Sequence, residues 1–270
     1  MQFFVKTKYH SFPYWIKVLL TSIGYICHFL SILGFMVIIL PFFLLLGFSA
    51  SLKHCILRNI FYGYVFFLTR RLLPLLQVYS IVEISGFENL YPKKASLYVA
   101  NHRGRLDALL LLSILKNTHV LIKSSYTRFP IYSAFVKYLD FISIDSESPR
   151  TLAAALSKCR ELIANGKNLL VFPEGTRASS GRLLPFKELA FRLASDLNIA
   201  VFPIIVHSDY PFMAKVPGSI FPKKKLSYTV RRLGPMLPEK NEGPEDFAFC
   251  VRDKMAQFIK ILDKGTVWEI

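Results

Sequence analysis

The chain has 270 residues, 53% of them hydrophobic, and carries 34 Lys and Arg against 18 Asp and Glu, for a net charge of +16. That length accommodates one large α/β domain with an appendage. The positive surplus fits nucleic acid or an anionic membrane surface; the gathering of apolar residues at the N-terminus, with no nucleic-acid-binding motif, selects the membrane. The four cysteines, Cys27, Cys55, Cys159 and Cys250, have no paired spacing. This suggests neither a zinc site nor a disulfide framework and predicts free, mostly buried thiols in a reducing compartment.

The first acidic residue is Glu83, and the preceding residues carry only Lys6, Lys8, Lys17, Lys53, Arg58, Arg70 and Arg71. Residues 1–17 mix Phe3, Phe4, Tyr9, Phe12, Tyr14 and Trp15 with lysines, a composition suited to a membrane–water interface. Val18 to Leu52 contains no charged residue. As one helix it would extend about 52 Å at ~1.5 Å per residue, too long for a ~30 Å hydrocarbon core. A break is therefore expected at Gly34 and Pro41. Two topologies fit, a single span with an overhang and a re-entrant helical pair. Positive charge at both ends favours the pair, with the following domain facing the cytoplasm. The apolar run far exceeds the h-region of a cleaved signal peptide. Residues 56–78, broken by Arg70, Arg71 and Pro74, suit either an interfacial helix or a core helix of the domain that follows.

From residue 79 the pattern changes, dividing the chain into a membrane-anchoring helical region, 1–78, and an α/β domain, 79–270. Tyr79 to Ile84 reads as a strand ending in a turn at Ser85-Gly86. Further strands are predicted at Leu97–Ala100, His119–Lys123, Phe141–Ile144, Asn168–Phe172, Ile199–Val206 and Leu226–Arg231. Helices are predicted at Asp107–Leu115, Pro130–Leu139, Arg150–Ala164, Phe186–Leu197 and near Pro244–Leu262. The alternation implies a largely parallel sheet with flanking helices, whose strand ends form one rim where sites gather.

One chemistry-bearing stretch is Asn101-His102-Arg103-Gly104-Arg105-Leu106-Asp107. A histidine stands where a strand hands over to a helix, and a carboxylate follows in the first helical turn, where exposed N–H groups stabilise it. Folded back by the turn at Gly104, Asp107 can orient His102 as a general base; a polar loop histidine and an ordinary helix-start aspartate are the plainer reading. N–H groups near Gly104 and the helix start are candidate oxyanion donors. Arg103 and Arg105 either keep His102 neutral through their charge or are solvated loop residues meeting phosphates. A second stretch runs from the apolar strand 168–172 into Pro173-Glu174-Gly175-Thr176-Arg177. Arg177 suits a phosphate and Gly175 a close backbone approach; a surface ion pair of Glu174 and Arg177 is the alternative.

Taken together, the N-H-x4-D arrangement of His102 and Asp107, the Phe172-Pro173-Glu174-Gly175-Thr176-Arg177 block about 70 residues on, and the proline-interrupted strand Val201 to Val206 resemble the glycerolipid acyltransferases. Within that family the nearest resemblance is to the lysophosphatidate (1-acylglycerol-3-phosphate) acyltransferases. The resemblance runs from about Ser80 to Gly234. It implies acyl transfer from a thioester, acyl-coenzyme A or an acyl carrier protein, to a lysolipid hydroxyl at the inner or cytoplasmic membrane, in phospholipid synthesis. His102 matches the family's general base and Asp107 its orienting carboxylate. Glu174, Gly175, Thr176 and Arg177 match its acceptor-binding block, and Lys123 falls where many members carry a basic residue near the acceptor. No metal and no cofactor beyond the acyl donor is implied. The chain departs from the family at Asp140 and Ser146, which align with a glycine and a phosphate-binding arginine; Arg150 is a candidate substitute. A carboxylate and a hydroxyl do not replace a guanidinium. The departure keeps open an acceptor that is not a phosphoglyceride. A non-catalytic lipid-binding protein is the reading from another class. The Lys223-Lys224-Lys225 tract with Arg231-Arg232 would attract donor or anionic lipid, or form a solvated loop.

Overall fold

The computed structural model describes residues 12–35, 37, 41, 49–88, 95–115, 118–145, 148–178, 182–223 and 226–266. Phe3, Phe4, Lys6, Lys8, Tyr9, Ser146, Lys224 and Lys225 lie outside them, as does most of the stretch between Gly34 and Ser49.

Helix α1 spans Tyr14–Gly34, and Phe35 after it keeps right-handed helical dihedrals, so the described residues show no break at Gly34. Among the described residues it is the one helix long and apolar enough to cross a membrane by length and composition. It leaves Trp15, Leu19, Ile26, Phe29, Leu30 and Leu33 exposed. Helix α2 spans Ala50–Phe67, its first turn capped by the Ser49 hydroxyl accepting from Leu52 N–H. It continues through a π-helical turn at Leu68–Leu72 into Leu73–Leu75. Leu57, Val65, Leu68 and Leu73 are buried while Phe66 and Phe67 are exposed. The segment from residue 56 thus has a core-facing stripe, as the second of its two readings expects.

The strands are β1 Ser80–Ser85, β2 Leu97–Ala100, β3 Thr118–Lys123, β4 Ile142–Ile144, β5 Asn168–Val171, β6 Val201–Ser208 and β7 Ser227–Arg232. They form one sheet in the order β1-β7-β6-β2-β5-β3-β4. Every neighbouring pair is parallel except β6–β7. The intervening helices are α3 Leu106–Ile114, α4 Pro130–Tyr138, α5 Pro149–Ala164, α6 Leu189–Leu197 and α7 Pro244–Asp263. The α/β class and the parallel sheet stand as expected, and the element ends move by at most three residues. The largest shift is at α6, which starts at Leu189 rather than Phe186. Lys187 N–H instead donates to Pro173 O at 2.9 Å, so tertiary pairing holds these residues out of the helix.

All four residues of β2 are buried, as a strand covered on both faces requires. Tyr98 and Ala100 face one core with α2 and α3, through Val65, Leu106 and Leu110. Leu97 and Val99 face the other with α5, α6 and α7, through Cys159, Phe191 and Val251. Burial pushes the Cys159 thiol up to about 12. All four cysteines are free, but Cys55 and Cys250 are exposed, so the expectation of mostly buried thiols holds only for part of the set.

Beyond β2, Asn101 is fully buried and joins β6 through its side chain. Its Nδ2 donates to Val206 O at 2.9 Å and its Oδ1 accepts from Val206 N–H at 2.8 Å. Asn101→Ala would orphan both backbone groups. It should lower the unfolding free energy by about 2–4 kcal/mol, measured by denaturant titration in detergent.

Candidate active site

Strands β2 and β5 are parallel neighbours with Val99 opposite Val171. Three residues past each position stand His102 and Glu174, so the two motifs meet at the carboxyl edge of the sheet. His102 N–H donates to Glu174 Oε1 at 2.8 Å, and Leu184 N–H donates to Oε2 at 3.0 Å. Ala178 N–H donates to His102 O at 2.9 Å. Burial pushes the Glu174 carboxyl up, against the pull of its two backbone donors.

His102 Nδ1 lies 3.2 Å from Asp107 Oδ2. That same oxygen accepts the N–H of Arg103 and of Gly104, both at 2.7 Å. An ionised carboxylate only accepts, so this contact is a hydrogen bond in the tautomer that has its proton on Nδ1 and a lone pair on Nε2. The Asp107 side chain is 2% exposed and that of His102 20%, which suits an orienting group and a reacting one. The Phe172 ring lies 4.5 Å from the imidazole, centroid to centroid.

Four of the N–H groups near the histidine are engaged within the protein. Those of Arg103 and Gly104 serve Asp107, Arg105 N–H donates to Met213 O, and Asp107 N–H donates to Gly104 O. In this arrangement these four are not turned toward an oxyanion.

Arg103 also differs from both of its readings. Its guanidinium is buried and bonds Asp263 in a fork, Nη1 to Oδ1 at 2.9 Å and Nη2 to Oδ2 at 2.7 Å. His207 Nε2 meets the same Oδ1 at 3.0 Å. Burial pushes the Asp263 carboxyl up, but the bonds and charges of Arg103 and His207 outweigh it and hold the group below its ordinary value. No local signal marked this partner, 160 residues away along the chain.

The structure brings Gly175, Thr176 and Arg177 beside this dyad. Gly175 has φ +65° and faces the Lys187 side chain. Thr176 Oγ1 accepts from Lys215 Nζ at 2.7 Å, and Arg177 Nη1 donates to Met213 O at 2.8 Å. Lys215 and the segment around Met213 were not singled out in the sequence, since nothing in their pattern marks them. Lys123 ends β3 on the same edge, opposite Ile144 of β4. Asp140 has φ +53°, a conformation that favours glycine and that aspartate tolerates. Arg231 and Arg232 do not form a free basic tract: Arg231 pairs with Glu83 at 2.7 Å, and Arg232 bonds Gly86 O and lies over the Phe202 ring.

A cavity of about 670 Å³ opens between α1, α2 and α3. Its wall is apolar, with Leu57, Val65, Leu109 and Phe141, and it reaches the turn at residues 102–107 through Arg105 and Met213. Its size is that of a site for a small molecule.

Residues 81–207 match the family model described as Acyltransferase. A chloroplastic 1-acyl-sn-glycerol-3-phosphate acyltransferase of Arabidopsis thaliana is 35% identical over 46% of this chain and 35% of its own length. A probable 1-acyl-sn-glycerol-3-phosphate acyltransferase of Mycoplasma genitalium is 29% identical over 70% of this chain and 74% of its own. The chain spans 35% to 42% of the length of the first three curated relatives it matches. In fold it is similar to the crystal structure of the 1-acyl-sn-glycerophosphate acyltransferase PlsC of Thermotoga maritima, with a TM-score of 0.68, 20% identity and coverage of 91% of this chain and 95% of that one.

A Cβ added to Gly104 would stand 2.6 Å from Phe212 O, so Gly104→Ala forces apart the turn and the segment at residues 212–213. It should cost about 1–3 kcal/mol. Gly63→Ala in α2, where a Cβ meets nothing within 4 Å, should instead stabilise by up to ~1 kcal/mol. Thermal unfolding of the two variants checks both signs.

Proposed function

We propose that the chain, whose residues 81–207 match the Acyltransferase family model, moves a fatty acyl group from a thioester, acyl-coenzyme A or an acyl carrier protein, to the hydroxyl of a lysophosphatidate-type lysolipid. The observation that carries this reading is the His102–Asp107 pair at the sheet edge beside an apolar cavity. His102 Nε2 accepts the proton of the acceptor hydroxyl as its oxygen attacks the thioester carbonyl. Asp107 stabilises the imidazolium that forms. Collapse of the tetrahedral adduct expels the thiolate, which takes the proton back from His102. The cavity between α1 and α3 takes the acyl chain.

Arg177 and Thr176, with Lys215 beside them, receive the acceptor headgroup, and Lys123 supplies a further positive charge at the same edge. Both oxygens of Glu174 are held by backbone N–H groups, so it serves the acceptor block by fixing its turn against His102. The exposed apolar residues of α1 lie in the membrane, with Lys17, Lys53 and Arg58 on its cytoplasmic side. Lysolipids other than lysophosphatidate are a second reading, favoured by the lack of an arginine at position 146.

The test offers acyl-coenzyme A or acyl carrier protein with a panel of lysolipids to the protein in anionic liposomes, following thiol release and lipid product by mass spectrometry. Acylation of lysophosphatidate that is lost in His102→Ala is the expected result. Product with another lysolipid only would replace the acceptor, and turnover that survives in His102→Ala would overturn the mechanism. Ala108→Phe, which narrows the cavity wall on α3, should shift the preferred donor to shorter chains in the same assay.

A further inference from the structure

Arg103 is held at both ends. Its backbone N–H donates to Asp107 Oδ2, and its guanidinium, 3% exposed as a residue, is gripped in a fork by Asp263. Asp263 is the last residue of α7. A carboxylate at a helix C-terminus stands against the helix dipole, so its own helix does not favour it there. The compensation comes from Arg103 and from His207 of β6.

A buried ion pair is no better for stability than a well-packed apolar pair. What the fork adds is direction, because two parallel N–H···O bonds fix the plane and the position of the guanidinium. The fixed guanidinium holds the turn at residues 103–104, and the N–H groups of that turn hold the carboxylate that orients His102. The charged and titratable groups facing the pair are His207 from β6 and, through the turn, Asp107 and His102. On α7 itself, Lys260 and Lys264 are the nearest charges in sequence.

We infer that Asp263 is a positioning residue for acyl transfer: the end of the last helix sets the geometry of the His102–Asp107 pair through the Arg103 fork. This rests on His102 being the base of the proposed reaction. The fork is buried and neither Arg103 nor Asp263 lines the cavity, so its loss acts on turnover rather than on binding. A displacement of the pair by a fraction of an ångström to 1 Å costs roughly 10–100-fold in rate.

The test uses the full chain in liposomes and four variants: Asp263→Asn, Asp263→Glu, the apolar double Arg103→Leu with Asp263→Leu, and His102→Ala. Asp263→Asn should lower kcat roughly 10–100-fold with both KM values within about twofold. It should also lower the unfolding temperature, because the guanidinium loses its counter-charge. The same uncompensated charge opposes an imidazolium on the neighbouring residue, so the acid limb of the pH–rate profile should move to lower pH. Asp263→Glu keeps the charge but lengthens the arm. It should retain the unfolding temperature and still lose kcat, which keeps the test open if the asparagine variant does not fold. The apolar double should recover stability without recovering kcat.

Recovery of kcat together with unfolding temperature in the double variant would assign the fork to stability alone and overturn the inference. So would wild-type kcat in folded Asp263→Asn or Asp263→Glu. His102→Ala separates the two levels. If it keeps turnover, the reading of His102 fails and this inference falls with it; if it is inactive while the Asp263 variants match wild type, only the positioning role fails.

Discussion

Two strands, β2 and β5, run in parallel with Val99 opposite Val171, and the chain leaves both on the same edge. This register places His102 and Glu174 at the same height, close enough for the backbone of one to bond the side chain of the other. A slip of one residue would turn every side chain of the strand to the opposite face, bringing Leu97 and Val99 into the layer that Tyr98 and Ala100 occupy. The two cores that cover the sheet therefore enforce the register, and the register sets the site. Asn101, spliced into β6 by two hydrogen bonds, fixes the third strand of the same edge.

Around this edge the fold buries Arg103, Asp107 and Glu174 and pairs each of them. An ionised group taken out of water without a partner costs several kcal/mol, so each must be answered. Glu174 receives two backbone N–H groups, Asp107 receives two and the imidazole, and Arg103 receives a carboxylate. Such satisfied networks hold one geometry at little net gain in stability. That trade suits a site whose groups must keep fixed directions.

The two layers of helices differ in what they leave open. On one side α5, α6 and α7 close over the sheet with a continuous apolar core. On the other, α1, α2 and α3 line the cavity. The segment after β6 joins that layer to the turn at residues 102–107. Met213 O accepts from Arg105 N–H and Arg177 Nη1, and a few residues on Ile220 O accepts from the Tyr25 hydroxyl of α1. A helix suited to a membrane and the sheet edge thus touch one loop.

Much of this was legible in the sequence for physical reasons. Strands buried on both faces must be apolar throughout, and helices between them must carry a stripe, so the alternation of strand and helix could be read along the chain. His102 and Asp107 are five residues apart, close enough for one turn to join them, and the Phe172–Arg177 block stands at the end of such a strand. What tertiary structure alone decided is longer in range. That Glu174 spends its oxygens on His102 and Leu184, that Asp263 answers Arg103 from 160 residues away, and that the N–H groups near Gly104 serve Asp107 are matters of which loops the sheet order sets side by side. A hydrogen bond depends on distance and angle in space, and composition and spacing carry no record of either once the partners lie on different strands.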